Sequence, residues 1–155
     1  MLSWHFETGP DAEFLTSLAE IRVGVELESA ALAATRRTDE QAQALLACAA
    51  RMGEAASAEE FARTDLEFHR TVAEASANPF MASISTLVEL ALTAAFTISS
   101  PVRDPAALAA TVAAHGRIAQ AILAGDPEEA RLAMKAVITQ GLDRQMKARL
   151  AGKDD

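Results

Sequence analysis

Apolar and polar positions along this chain recur with the period of a helix, and the apolar stripes break at recognisable start and stop residues. Six helical runs follow from that pattern. The first is expected from about Asp11 to about Ala34, after a linker-like segment at residues 1–10. Thr38 followed by Gln41, and Ser57 followed by Glu60, have the spacing of capping boxes ahead of the second and third runs. Asn78–Pro79 and Asp104–Pro105 each set a capping side chain before a proline at the first helical position. Gly125 ends the fifth run and Asp126–Pro127 opens the sixth. Connections this short favour antiparallel neighbours. The pattern therefore predicts an all-α fold, an antiparallel bundle of about six helices over residues 11–150, with residues 151–155 as a disordered tail.

Several polar residues fall on faces that should be buried. In the third run Phe61, Phe68 and Val72 set the inward direction; Asp65 lies about 40° from it and His69 about 80°. Being four residues apart, they can converge on one point. In the fifth run Leu108, Val112, Ala119 and Ile122 form a stripe, His115 lies near its middle, and Thr111 shares the face. A carboxylate directed into an apolar interior needs a cationic partner, because an unpaired buried charge costs several kcal/mol. A carboxylate with neutral imidazoles is a suitable donor set for a divalent ion, zinc first, with nickel or manganese as alternatives. The bland alternative is a core histidine hydrogen-bonded to a carboxylate or carbonyl.

Two arginines sit at the rims of inward faces. On the first run Phe14, Leu18, Ile21, Val25 and Leu32 are expected to form the stripe, with Arg22 at its edge and Glu26 four residues later. On the last, Met134, Val137, Ile138 and Gly141 form the stripe and Arg144 continues it. Each arginine offers a fork for an anionic ligand; the competing readings are a local pair with Glu26 for Arg22 and solvent for Arg144. In the fourth run Phe80, Met81, Ile84, Leu87, Val88, Leu90, Leu92 and Phe96 surround most of the circumference, which predicts a helix buried centrally or against a partner.

Composition narrows the function classes. The net charge is −8, from 22 acidic and 14 basic residues, and no basic stripe is present, so no nucleic acid is expected to bind through this chain. The single cysteine, Cys48, excludes an internal disulfide and suits a reducing, cytoplasmic setting; in its alanine-rich run it reads as a small core hydrophobe. Neither a signal peptide nor an uninterrupted apolar span is apparent, so no membrane association is expected.

Three segments, "EIRVGVELESAALAA" (Glu20–Ala34), "DLEFHRTVAEASANPF" (Asp65–Phe80) and "AAHGRIAQAILAGDPEEARLAM" (Ala113–Met134), occur in an order and spacing that resemble the C-terminal effector-binding (FCD) domain of FadR-type GntR transcriptional regulators. The resemblance covers residues 11–147. It implies a helical bundle around a cavity for a small organic acid beside a divalent metal, and homodimers whose DNA affinity responds to that effector. It also implies that residues 1–10 lead from a winged helix-turn-helix, which would carry the DNA binding and which this sequence does not contain.

In that family an aspartate and three histidines typically hold the metal. Asp65, His69 and His115 match three of those positions, while Val137, about 22 residues after His115, stands where the fourth histidine falls. Gln140, one turn on, is a poor substitute. The departure leaves an open coordination position or a lost metal. Lack of that histidine, with the "GPDAEF" and "FTISS" segments, resembles the sugar-acid (galactonate-type) branch. The resemblance thus implies a sensor, not an enzyme, with Arg22, Arg144, Thr111, Ser99 and Gln140 contacting the acid. Two rivals stand beside it: a metal-dependent enzyme, for which Glu67 points about 200° away from Asp65 and offers no evident base, and a purely structural dimerisation bundle.

Overall fold

The computed structural model describes residues 10–96 and 100–151, the side chains of 94–96 excepted. Six α-helices are seen: α1 Ala12–Arg36, α2 Asp39–Met52, α3 Ala58–Ala75, α4 Pro79–Phe96, α5 Pro105–Ala124 and α6 Pro127–Ala151, with a single 3₁₀ turn, Pro101–Arg103, before α5. Among the described residues there is no strand, and the architecture is the expected all-α bundle. The expectations for residues 1–9, Ser99 and residues 152–155 lie outside the described residues.

The helix starts follow from the local chemistry. Thr38 and Gln41 form a reciprocal capping box, with bonds of 3.0 and 3.2 Å. Ser57 accepts from the Glu60 amide, but the Glu60 carboxylate reaches one residue further back than a capping box requires, to the amide of Ala56 at 2.9 Å. Asp104 accepts from both Ala106 and Ala107. Gly125 closes α5 with φ +72°, a conformation that glycine alone adopts without strain. Two arginines then fasten the end of α1 to other helix ends: Arg37 donates to the carbonyls of Ile122 and Leu123, and Arg36 to that of Ser76. These carbonyls lie at helix termini, where internal partners run short, although that of Ile122 also accepts from the Gly125 amide.

The core is built from Leu45, Met52, Phe61, Phe68, Ile118, Ile122, Met134 and Ile138, all essentially inaccessible to solvent. Alanines 30, 33 and 34 let α1 approach its neighbours closely, and α1 runs mainly along α6 while also touching α3, α4 and α5. By length and composition α5 is apolar enough to cross a membrane; here it packs between α2, α6 and α1.

One sequence expectation needs correction, and one is narrowed. The inward line of α1 is Leu15, Arg22, Glu26, Ser29, Ala30 and Ala33, not the stripe through Ile21; Ile21 is 56% exposed. The helix is turned so that its buried face carries an ion pair, and hydrophobicity alone therefore gives the wrong direction. The fourth helix is not central, which leaves the other expected placement, against a partner. Ser85, Val88 and Leu92 face inward, whereas Phe80, Leu87 and Leu90 are 78%, 67% and 72% exposed.

Candidate functional site

The buried polar groups of α1, α3 and α5 meet at one point. Asp65 and His69 project from the same face of α3, and His115 reaches them from α5. The Nε2 of His115 lies 3.1 Å from Asp65 Oδ1, and the Nε2 of His69 lies 3.8 Å from Asp65 Oδ2. One donor atom from each of the three fits within 4.8 Å of the others, and all three residues are buried. Phe68 stands edge-on to both imidazoles, with centroid distances of 5.8 and 5.0 Å, and holds the rings nearly perpendicular to its own plane.

The outer ring nitrogens are already engaged. His115 Nδ1 sits 2.8 Å from the Thr111 carbonyl oxygen, so it is the protonated nitrogen and donates there. His69 Nδ1 sits 2.7 Å from Glu26 Oε2. Both arrangements turn Nε2 toward Asp65, as happens when a carboxylate or carbonyl orients a metal-binding histidine. With Nδ1 donating, His115 Nε2 meets the Asp65 carboxylate either with a proton of its own, as an imidazolium, or with a bare lone pair that requires a cation between them. The donor set therefore fits a divalent ion: two neutral imidazoles and one carboxylate suit zinc, and nickel or manganese also accept them.

Arg22 and Glu26 complete the buried cluster. Arg22 Nε and Nη2 donate to the two Glu26 oxygens at 2.6 and 3.1 Å, and Nη2 is 3.3 Å from His69 Nε2. The local Arg22–Glu26 pair is thus present, and it is part of the site and not a surface ornament. Burial opposes ionisation of Glu26, but the adjoining Arg22 charge and His69 outweigh it and lower its pKa to about 2. Burial likewise opposes the Asp65 charge; the hydrogen bond from His115, and the charges of His69, His115 and Arg22, hold that carboxyl below its ordinary range.

The cluster lines a cavity of about 20 Å³ together with Thr111, Val137, Gln140 and Arg144, a space sufficient for one ion or one water. Val137 lines the cavity beside these three residues but can ligate nothing. Arg144 is partly buried; its Nη1 is 3.4 Å from Thr111 Oγ1, and its Nε is buried without a hydrogen bond. Burial pushes the Arg144 pKa down, which the Asp65 charge partly offsets and Arg22 reinforces. Thr111 is buried and Gln140 exposed at the cavity mouth. Glu67 is on the outer face of α3, paired with Arg51 at 2.6 Å, and takes no part.

Sequence reasoning missed Glu26 as a site residue, because Arg-x-x-x-Glu on a helix resembles an exposed pair. It also missed Gln145, a buried lining residue one turn beyond Gly141 on the inward line of α6. That continuation of the stripe was the available signal.

Comparison with known proteins bears on the family and the fold. The FCD domain family matches residues 17–140. Among solved structures, the chain is similar to Streptococcus agalactiae GntR, with 26% identity and a TM-score of 0.71 over 84% of this chain and 59% of that one. It also shares its fold with the metal-free FCD domain of TM0439, a candidate transcriptional regulator, with 16% identity and a TM-score of 0.72 over 92% and 98% of the two chains. No curated protein matches the chain in sequence. The chain spans about three-fifths of the length of the Streptococcus agalactiae protein. It belongs to the FCD domain family.

Proposed function

We propose that this domain is the effector sensor of a GntR-type transcriptional regulator, and that it binds a small organic acid of the sugar-acid class beside a divalent ion. The observation that carries the reading is the buried meeting of Asp65, His69 and His115 between two helices. When bound, the ion supplies a positive, Lewis-acidic centre for an acid's oxygen atoms. Asp65 and the Nε2 atoms of His69 and His115 are the residues that would hold it. Glu26 and the Thr111 carbonyl fix the orientation of the two rings.

Charge balance favours an anionic ligand. Arg22 and Arg144 offset Glu26 and Asp65, leaving the cluster neutral when both histidines are neutral. A divalent ion then adds a surplus of two positive charges, which a carboxylate reduces. Arg144 and Thr111 are placed at the cavity to receive that carboxylate or an adjacent hydroxyl, with Gln140 at the mouth. With the fourth family ligand replaced by Val137, a coordination position stays open to the acid.

The same groups offer a route to the chain's N-terminal side. α1 carries Arg22 and Glu26 into the site, and α6 carries Arg144; the two helices are also tied where α1 begins, by Arg149 donating to the Pro10 carbonyl at 2.8 Å. An acid that draws Arg22 or Arg144 toward itself changes how α1 and α6 pack. Residues 1–10 would pass this to a winged helix-turn-helix. To convert one arrangement almost wholly into the other, the acid must favour it by about 5.5 kcal/mol. The exposed apolar face of α4, Phe80, Ile84, Leu87 and Leu90, is the surface on which we place a homodimer contact.

Calorimetry against a panel of sugar acids, with zinc and with chelator, tests the reading. Zinc-dependent binding of at least one acid is expected; no binding under either condition rejects it.

A further inference from the structure

Gly141 lies inside α6 and is buried, with ordinary helical backbone. Glycine at such a position destabilises a helix relative to alanine. Crowding does not require it either: a Cβ here would meet nothing within 4 Å, the helix's own backbone aside. Gly24 and Gly116 have the same freedom, but Gly24 is exposed and Gly116 half-buried. Gly141 borders the inner cavity instead, beside Asp65, His69 and His115.

Gln145 follows one turn later on the same face of α6. It is only 6% exposed, yet its amide makes no hydrogen bond among the described residues. Arg22 and Gln145 line both the inner cavity and a second void of about 10 Å³, whose other walls are apolar, Leu15, Leu92 and Ile138 among them. Arg22 is committed to Glu26 and His69. Gln145 therefore brings to that boundary a polar group able to donate and to accept. A buried amide without a partner costs stability.

Two residues that each weaken the fold thus flank one small space. Helical side chains lean toward the N-terminus, so Gln145 leans over the turn that Gly141 leaves bare. With an ion among Asp65, His69 and His115, about 20 Å³ is room for one water. Zinc held by three protein groups takes at least one further ligand. We infer that Gly141 and Gln145 form the seat of the ion's non-protein ligand: Gly141 leaves the room, and the Gln145 amide oxygen accepts a hydrogen bond from the water that fills the open position. Both are positioning residues, acting on the ion through that water. The inference rests on the reading of Asp65, His69 and His115 as ion ligands.

Gly141→Ala and Gln145→Leu test it, each compared with the wild type by urea unfolding of the metal-free protein and by zinc titration against a competing chelator. Alanine fills the room with a methyl group, and leucine keeps the bulk while removing the amide. Metal-free, both variants are expected to unfold at higher urea than the wild type. Zinc is expected to bind each at least about tenfold more weakly. A merely structural role would give the opposite pairing, a weaker fold with zinc binding unmoved. Zinc affinity unmoved in either variant, or a metal-free variant less stable than the wild type, overturns the inference while leaving the ion site intact. A wild type that binds no zinc overturns both.

Discussion

Arg22 Nη2 lies 3.3 Å from His69 Nε2, so a guanidinium addresses the same lone pair through which this imidazole would ligate an ion. The Glu26 carboxylate meets both partners, holding Arg22 by two hydrogen bonds while Oε2 stands 2.7 Å from His69 Nδ1. Arg22 and an ion thus compete for one atom, and the two positive charges repel. Arg22→Met is expected to tighten zinc binding by about tenfold. It also removes one partner of a buried pair, so stability should fall by about 3–5 kcal/mol. A chelator-competition titration on the folded variant measures the first effect and urea unfolding the second; weaker zinc binding would show Arg22 to be a support for His69 instead of a competitor.

Glu26 orients His69 without touching the cavity's ion position itself. Loss of such an outer partner typically costs about 10–100-fold in metal affinity, and Glu26→Gln, which keeps the shape and removes the charge, is expected to fall in that range. The same competition titration reads it, and an unchanged affinity would detach Glu26 from the site.

Val137 lines the cavity beside the three candidate ligands. Val137→His supplies a further imidazole, and zinc should then bind at least about tenfold more tightly. An acid that needs the open position should bind more weakly to the same variant. Calorimetry with zinc first and gluconate second separates the two effects; both moving the same way would contradict an open position.

The cysteine gives a pH prediction away from the site. Cys48 is buried, donates to the Thr64 carbonyl at 3.3 Å, and has its thiol pushed up from 9.0 to about 11 by burial first and the nearby Glu67 charge second. The neutral thiol is the form the fold favours. Its contribution is therefore complete below the unfolded pKa near 9.0 and is lost as pH rises through about 11. The loss is about 1–2 kcal/mol after allowance for partial screening. Urea midpoints at pH 8 and pH 11 should differ more for the wild type than for Cys48→Ala, and parallel shifts would remove the thiol as the cause.

The α4 face makes a separate claim. Leu87→Lys with Leu90→Glu, both at well-exposed positions, should convert dimer to monomer with helical content unchanged. Sedimentation equilibrium decides it, and a wild-type monomer would place no contact there.

Much of the bundle was readable because helix starts are local: an Asp, Ser or Thr cap and a proline act within one turn. Asp65, His69 and His115 were readable too, since Phe61, Phe68 and Ile122 define the inward direction of their helices without ambiguity. α1 was not. Its buried line runs through Arg22 and Glu26, whose burial depends on His69 from another helix, a partner that periodicity cannot see. The outward apolar residue Ile21 then drew the expected stripe to the wrong side. For α4 the sequence left two placements open, because a helix apolar all round does not reveal which face its own chain covers.

The central claim is that Asp65, His69 and His115 together hold a divalent ion. Titrating zinc into the wild type and into His115→Ala and Asp65→Asn, each checked for helicity, tests it most directly. The account predicts about one zinc per chain in the wild type, with affinity lowered by about a hundredfold or more in each variant. Zinc that fails to bind the wild type, or that binds all three proteins alike, would contradict it.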